Sequence, residues 1–167
     1  GGGFGAKQEI LIDDLVAYAA LRTGLPCEIE LTRKEEFIAS RTRHPMKIDM
    51  SIGCDAAGHF KALKMYVLSN TGAYGSHSLT VMSNTGSKTL PLYNKANDVR
   101  FYGDAVYTNL PVPGAYRGYG ATQGYAALET TIDDLAAKLH MDPIELRKMN
   151  MIQIGEGSPI FEALGEG

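Results

Sequence analysis

The stretch MKIDMSIGCDAAGHFKALKMYV, Met46–Val67, decides the fold class. Met46, Ile48, Met50 and Ile52 alternate with Lys47, Asp49 and Ser51, the period of a strand with one buried face. Asp55–His59, DAAGH, carries the Asp and Gly of a turn. Leu63, Met65 and Val67 then alternate again. Two alternating runs across a short polar loop predict an antiparallel hairpin, so the sheet is at least partly antiparallel.

Toward the N-terminus, Cys27, Ile29 and Leu31 alternate with Glu28, Glu30 and Thr32, which predicts a further strand. From Gln8 onward Leu11, Leu15 and Tyr18 share one helical stripe, and Ile12, Val16 and Ala19 the next. That helix is apolar over most of its circumference, as a buried helix is. Gly24-Leu25-Pro26 is its stop signal. Toward the C-terminus, residues 69–97 are rich in Ser, Asn, Gly and Thr, and predict loop with a short helix around Leu79–Val81. The tetrad SNTG recurs at Ser69–Gly72 and Ser83–Gly86, too short to be an internal repeat.

Val99–Tyr107 reads as a strand, with a bulge expected at Gly103. Leu128, Ile132, Leu135 and Leu139 define an amphipathic helix. Asp142 and Pro143 suit the N-cap and N1 positions of another. The tail GEGSPIFEALGEG shows no pattern. Helices interleaved with hairpins, rather than with single parallel strands, give an α+β fold: a mixed sheet with hairpins packed by about three helices, with residues 1–167 as a single domain.

Of the 167 residues, 44% are hydrophobic and 21% charged, with a net charge of −3 and no run of Lys or Arg. Phosphate neutralisation needs clustered cations, so nucleic acid is not expected as a partner. No stretch approaches the ~20 apolar residues that span a bilayer, and no signal peptide is visible. The chain starts at glycine, so a piece of a longer protein is expected. Cys27 and Cys54 lie far apart and in no CxxC arrangement, and are expected to be small buried apolar residues of a reducing, cytoplasmic compartment. His44, His59, His77 and His140 show no metal-ligand spacing.

Two segments stand apart. GGGFGAK at the start and PVPGAYRGYGATQG at Pro111–Gly124 are both Gly-rich loops delivered to a helix start. Bare glycines let a ligand approach the backbone, and a helix start adds free N–H donors with a partial positive charge. Such a device suits an anion or a phosphate. Neither loop matches GxxxxGK[ST] or a GxGxxG that follows a strand. AYRGYG sets Arg117 between Tyr116 and Tyr119, which offers a ring for stacking and a guanidinium for a carbonyl or carboxylate. The plain alternative is that both tyrosines pack beneath the loop and Arg117 is a surface cation. Arg41–Met46, RTRHPM, is either a further site segment or a solvated basic connector; Pro45 biases His44 to extended geometry. From these residues alone, a free-standing module that binds an anion or nucleotide is one reading, and a scaffold domain another.

GGGFGAK, RHP, TNLPVPGAYRGYG with TQG following, and DPIELRKMN stand here in the order and approximate spacing of one family. The chain resembles part of the molybdopterin-binding subunit of the xanthine dehydrogenase and aldehyde oxidase family, the molybdenum hydroxylases, over nearly its whole length. That resemblance implies an oxidoreductase that hydroxylates a nitrogen heterocycle or an aldehyde with water-derived oxygen. It implies a molybdenum–molybdopterin cofactor in the cytosine dinucleotide form, with iron–sulfur clusters and FAD on other domains or subunits.

Carried over residue by residue, Gly3, Phe4 and Gly5 would lie beside the molybdenum ligands, and Arg117 and Gly118 would do so from the second loop. The backbones of Phe4 and Arg117 would stand next to the metal. Tyr119 would stack on the substrate ring, with Tyr116 as its aromatic neighbour. Arg43, the arginine before His-Pro, would bind substrate and stabilise developing charge. Gln8 stands where xanthine-oxidising members carry a glutamate, which argues against xanthine; Glu9 is expected to face elsewhere on the helix. The family's general base lies outside this chain, and Glu166 reads as tail. The chain should therefore carry part of an active site and be inactive alone.

Overall fold

The computed structural model describes residues 2–5 and 7–164. Glu166 lies outside them. The sheet has three strands in the order β1 (Met46–Cys54), β2 (Phe60–Asn70) and β3 (Asp98–Val106). β1 and β2 form the expected antiparallel hairpin, from Met46↔Ser69 to Cys54↔Phe60. Its turn is tied by Asp55, whose Oδ1 accepts the N–H groups of Ala57 and His59, each at 3.0 Å. The register shift falls between Gly53 and Cys54. β3 pairs with β2 in parallel and in unbroken register from Ala62↔Asp98 to Asn70↔Val106, so the bulge expected at Gly103 is absent.

Among the described residues there are six α-helices, of which α3 and α4 pack on the sheet: α1 (Asp13–Thr23), α2 (Arg33–Ala39), α3 (Ser78–Ser87), α4 (Ala121–Leu139), α5 (Pro143–Asn150) and α6 (Pro159–Leu164). The α+β class holds, with more helix than periodicity shows. The helix expected around Leu79–Val81 is ten residues long and supplies the crossover between the parallel strands. α6 lies in the tail that shows no pattern. The strand expected at Cys27–Leu31 does not form; those residues have no regular structure and pair with no strand. Instead Thr32 caps α2 in a capping box with Glu35. With no strand to bring it onto the sheet, α1 does not bury: it has no buried residue, and Leu15, Tyr18 and Leu21 are exposed. It begins at Asp13 rather than near Gln8.

The core lies between the β1–β2 hairpin and the long α4. Leu63, Met65 and Val67 of β2 meet Leu128 and Ile132 of α4, all of them buried. α3 crosses α4 closely because Gly124 has no side chain: a Cβ there would stand 2.1 Å from the carbonyl oxygen of Thr85. α5 is capped by Asp142, whose side chain accepts from the N–H groups of Ile144 and Glu145. It is locked to the hairpin by buried Asn150, which accepts from Phe60 N–H at 2.8 Å and donates to Gly58 O at 2.9 Å. Cys27 and Cys54 are free thiols and only half-buried, less covered than expected.

Parallel pairing has a positional consequence. The C-terminal ends of β2 (Asn70) and β3 (Val106) lie side by side, and the start of β1 (Met46) pairs beside the end of β2. Three segments therefore leave one edge together: residues 41–45, 71–77 and 107–120.

Candidate active site

At that edge the first Gly-rich loop packs on the second, backbone to backbone. Gly5 has φ +101°, and a Cβ on it would stand 2.2 Å from Ala115 O and 2.8 Å from Tyr116 Cα. Only glycine fits, on both sterics and dihedral. Phe4 precedes it with φ +49°, also left-handed. The contact brings the expected site residues together: the guanidinium of Arg117 lies 5.4 Å from the centroid of the Phe4 ring. Gly2, Gly3, Phe4, Tyr116, Arg117 and Gly118 are all exposed at this junction.

Arg43 fastens the second loop. It donates from Nη2 to Arg117 O at 2.6 Å and from Nη1 to Thr122 Oγ1, with Gln123 Oε1 at 3.5 Å. Its guanidinium also lies 4.7 Å from the centroid of the Tyr116 ring. Gln123 turns its amide to His44 O at 3.2 Å. Thus RHP and TQG interlock. His44 itself is buried, with Nε2 3.0 Å from Ser78 Oγ, and burial holds its pKa below the ordinary histidine range. A pocket of about 280 Å³ opens beside this clasp, lined by Phe37, Arg41, Arg43 and Tyr116 among others.

Sequence reasoning missed the residues on the other side of Tyr119. Glu9 does not face elsewhere on a helix, because no helix has begun there. It meets Arg41 Nε at 2.5 Å and the hydroxyl of Ser76, and lies 3.3 Å from His77 Nε2. Burial would raise the Glu9 carboxyl, but the hydrogen bonds from Ser76 and Arg41 outweigh it and hold it below the usual carboxylate range. His77 Nδ1 in turn lies 2.5 Å from Tyr119 Oη. Burial lifts the Tyr119 hydroxyl above its ordinary range, a hydrogen bond from Thr80 opposes this, and the Glu9 charge adds to it. No sequence signal marks this set, because its four segments, at Glu9, Arg41, Ser76–His77 and Tyr119, lie 32 or more positions apart and meet only through the strand ends. Gln8 is exposed at the end of the first loop, its N–H bonded to Gly5 O at 3.3 Å.

The donors at the loop junction are those of a cradle rather than of a metal cage. Among the described residues, none accepts a hydrogen bond from the N–H of Phe4, Arg117 or Gly118. Free backbone N–H groups beside two guanidiniums suit the oxygens of an anionic group that brings its own metal ligands. A side chain at Gly5 would force the two loops apart. The arrangement fits a molybdenum–pterin group.

A mixed sheet that opens two facing Gly-rich loops at one edge, with aromatic rings and guanidiniums around them, defines a cofactor-binding domain. The chain belongs to the molybdopterin cofactor-binding domain family, which matches residues 1–151. It is 41% identical over 167 residues to the probable hypoxanthine oxidase XdhD of Escherichia coli (strain K12), covering 100% of this chain and 17% of that protein. It is also 34% identical over 155 residues to the nicotinate dehydrogenase large molybdopterin subunit of Eubacterium barkeri, covering 93% of this chain and 36% of that subunit. Among solved structures, the aldehyde oxidoreductase from Desulfovibrio gigas superposes with a TM-score of 0.83 at 31% identity, over 95% of this chain and 17% of that one. The chain thus spans a minor part of the relatives it matches. Among the described residues, no helix is long and apolar enough to cross a membrane.

Proposed function

We propose that residues 1–167 form a single domain of a larger molybdopterin-binding subunit, and that the whole protein is a molybdenum hydroxylase acting on a nitrogen heterocycle or an aldehyde. The observation that carries this is the contact of Gly5 with Ala115, which joins the family's two Gly-rich loops into one cradle. When bound, the molybdenum–pterin group supplies two-electron chemistry and an activated, water-derived oxygen. Gly3, Phe4, Gly5, Arg117 and Gly118 would hold it through backbone N–H groups and the Arg117 charge. The cytosine dinucleotide form, and iron–sulfur clusters and FAD on other domains or subunits, belong to the same reading, as does a cytoplasmic location.

This chain's own residues bind and orient. Tyr119 and Tyr116 form the aromatic wall for a planar substrate. Arg43 acts at this site through position: its fork is committed to the Arg117 carbonyl and to Thr122, so it sets where the AYRGYG loop stands. Gln8, exposed beside the glycines, presents an amide, which accepts as well as donates and suits a ring other than xanthine. No general base is assigned to these residues; a group outside 1–167 serves that step.

The test is the full-length protein, purified with its partner subunits and assayed for molybdenum. Stoichiometric metal, lost in Gly5→Val, is expected; a full-length protein without molybdenum overturns the reading. A free-standing anion- or nucleotide-binding module predicts instead that the isolated chain releases heat on titration with nucleotides, and absence of heat removes it.

A further inference from the structure

Tyr119 and His77 are both non-glycine residues at positive φ, +42° and +55°. Such conformations persist only where the surroundings over-determine them, and they cluster at functional sites. The two residues hold each other. Tyr119 Oη lies 2.5 Å from His77 Nδ1, and the rings meet edge to face with centroids 5.6 Å apart. Beyond the imidazole, Nε2 lies 3.3 Å from Glu9 Oε1, and Glu9 is anchored in turn by Arg41 and Ser76.

The hydrogens along this chain are ordered by its end group. The Glu9 carboxylate only accepts. A neutral imidazole must therefore carry its hydrogen on Nε2, leaving Nδ1 a bare acceptor. Tyr119 then donates its hydroxyl hydrogen to His77, away from any ligand.

We propose that Glu9 and His77 are positioning residues for Tyr119: their relay fixes the ring and draws its hydroxyl into the protein, so a substrate stacked on Tyr119 meets its ring face and no hydrogen bond from it. This rests on Tyr119 being the stacking wall proposed above. A wall of that kind selects by flatness and conjugation, which favours an aromatic heterocycle over an aliphatic aldehyde.

The test uses the full-length enzyme and a planar N-heterocyclic substrate. His77→Asn suits the left-handed backbone, since Asn is among the residues most tolerant of it, but its amide cannot span Glu9 and Tyr119. KM is expected to rise about tenfold, the size of one lost charge-assisted hydrogen bond, with kcat and Tm little changed. Tyr119→Phe should raise KM by about the same factor, and adding His77→Asn to it should do nothing more. Glu9→Gln, which removes the group that orders the hydrogens, should behave as His77→Asn does in both backgrounds. An equal KM rise in both backgrounds, or none in either, overturns the relay. Tyr119→Ala separates the two ideas: if it leaves KM unchanged, the stacking wall falls and the proposal with it. If it raises KM while His77→Asn acts equally in both backgrounds, only the relay falls.

Discussion

Gly5 lies against Ala115 with no room between them: a Cβ on Gly5 would stand 2.2 Å from the Ala115 carbonyl oxygen. Gly5→Ala is therefore expected to lift the first loop off the second. The loop can come away without opening the core, so the stability cost is capped at about 1–2 kcal/mol. Cofactor retention should suffer far more. Metal analysis beside a thermal melt checks this; full molybdenum occupancy in the variant would refute the close approach.

Arg43 holds the second loop through a fork that reaches Arg117 O and Thr122 at once. A lysine there keeps the charge and loses the fork. Arg43→Lys should consequently resemble Arg43→Ala, with turnover down about tenfold or more and Tm nearly unchanged. Steady-state kinetics of both variants decide it, and near-normal turnover in Arg43→Lys would show that charge alone suffices.

Asn150 is buried and joins α5 to the hairpin by accepting from Phe60 N–H and donating to Gly58 O. Asn150→Leu fills similar volume but leaves both backbone groups unpaired. The expected loss is about 2–4 kcal/mol, from two orphaned buried groups. Urea denaturation measures it, and a loss under 1 kcal/mol would mean that the turn finds other partners.

Asp55 titrates at about 2, because the His59 backbone N–H and then Lys61 favour its charged form. Its folded pKa is below the unfolded value of about 3.9. Its contribution is thus fully present above pH 4 and is lost as pH falls through 2. Stability should decline over that window, and Asp55→Ala, which removes the carboxylate, should flatten this part of the profile. Denaturation midpoints between pH 5 and 2 provide the comparison.

The hairpin, α4 and α5 were legible because their signals are local. Alternation in Met46–Ile52, the Leu128–Leu139 stripe and the Asp142-Pro143 cap each sit within one element. The two Gly-rich loops were legible as a pair, and so was their family. Parallel pairing of β3 with β2 was not, because nothing in Val99–Tyr107 encodes which neighbour it takes. With the pairing went the convergence of 41–45, 71–77 and 107–120. His77 and Glu9 could not be found as site residues without it. α1 misled for a related reason: an apolar circumference records that a helix meets partners, not that those partners lie within 167 residues. Leu15, Tyr18 and Leu21 stand exposed here.

The order in which the chain is made bears on how the cradle fills. The β1–β2 hairpin closes over a short span and can form while the remainder is still being synthesised. Parallel addition of β3 must wait for residues 71–97, and the AYRGYG loop follows later still. Gly5 lies 110 positions before its partner Ala115, so the two meet only after the intervening chain has been made. The cradle is therefore a late product of folding: its two loops face each other only once the sheet that carries them is complete.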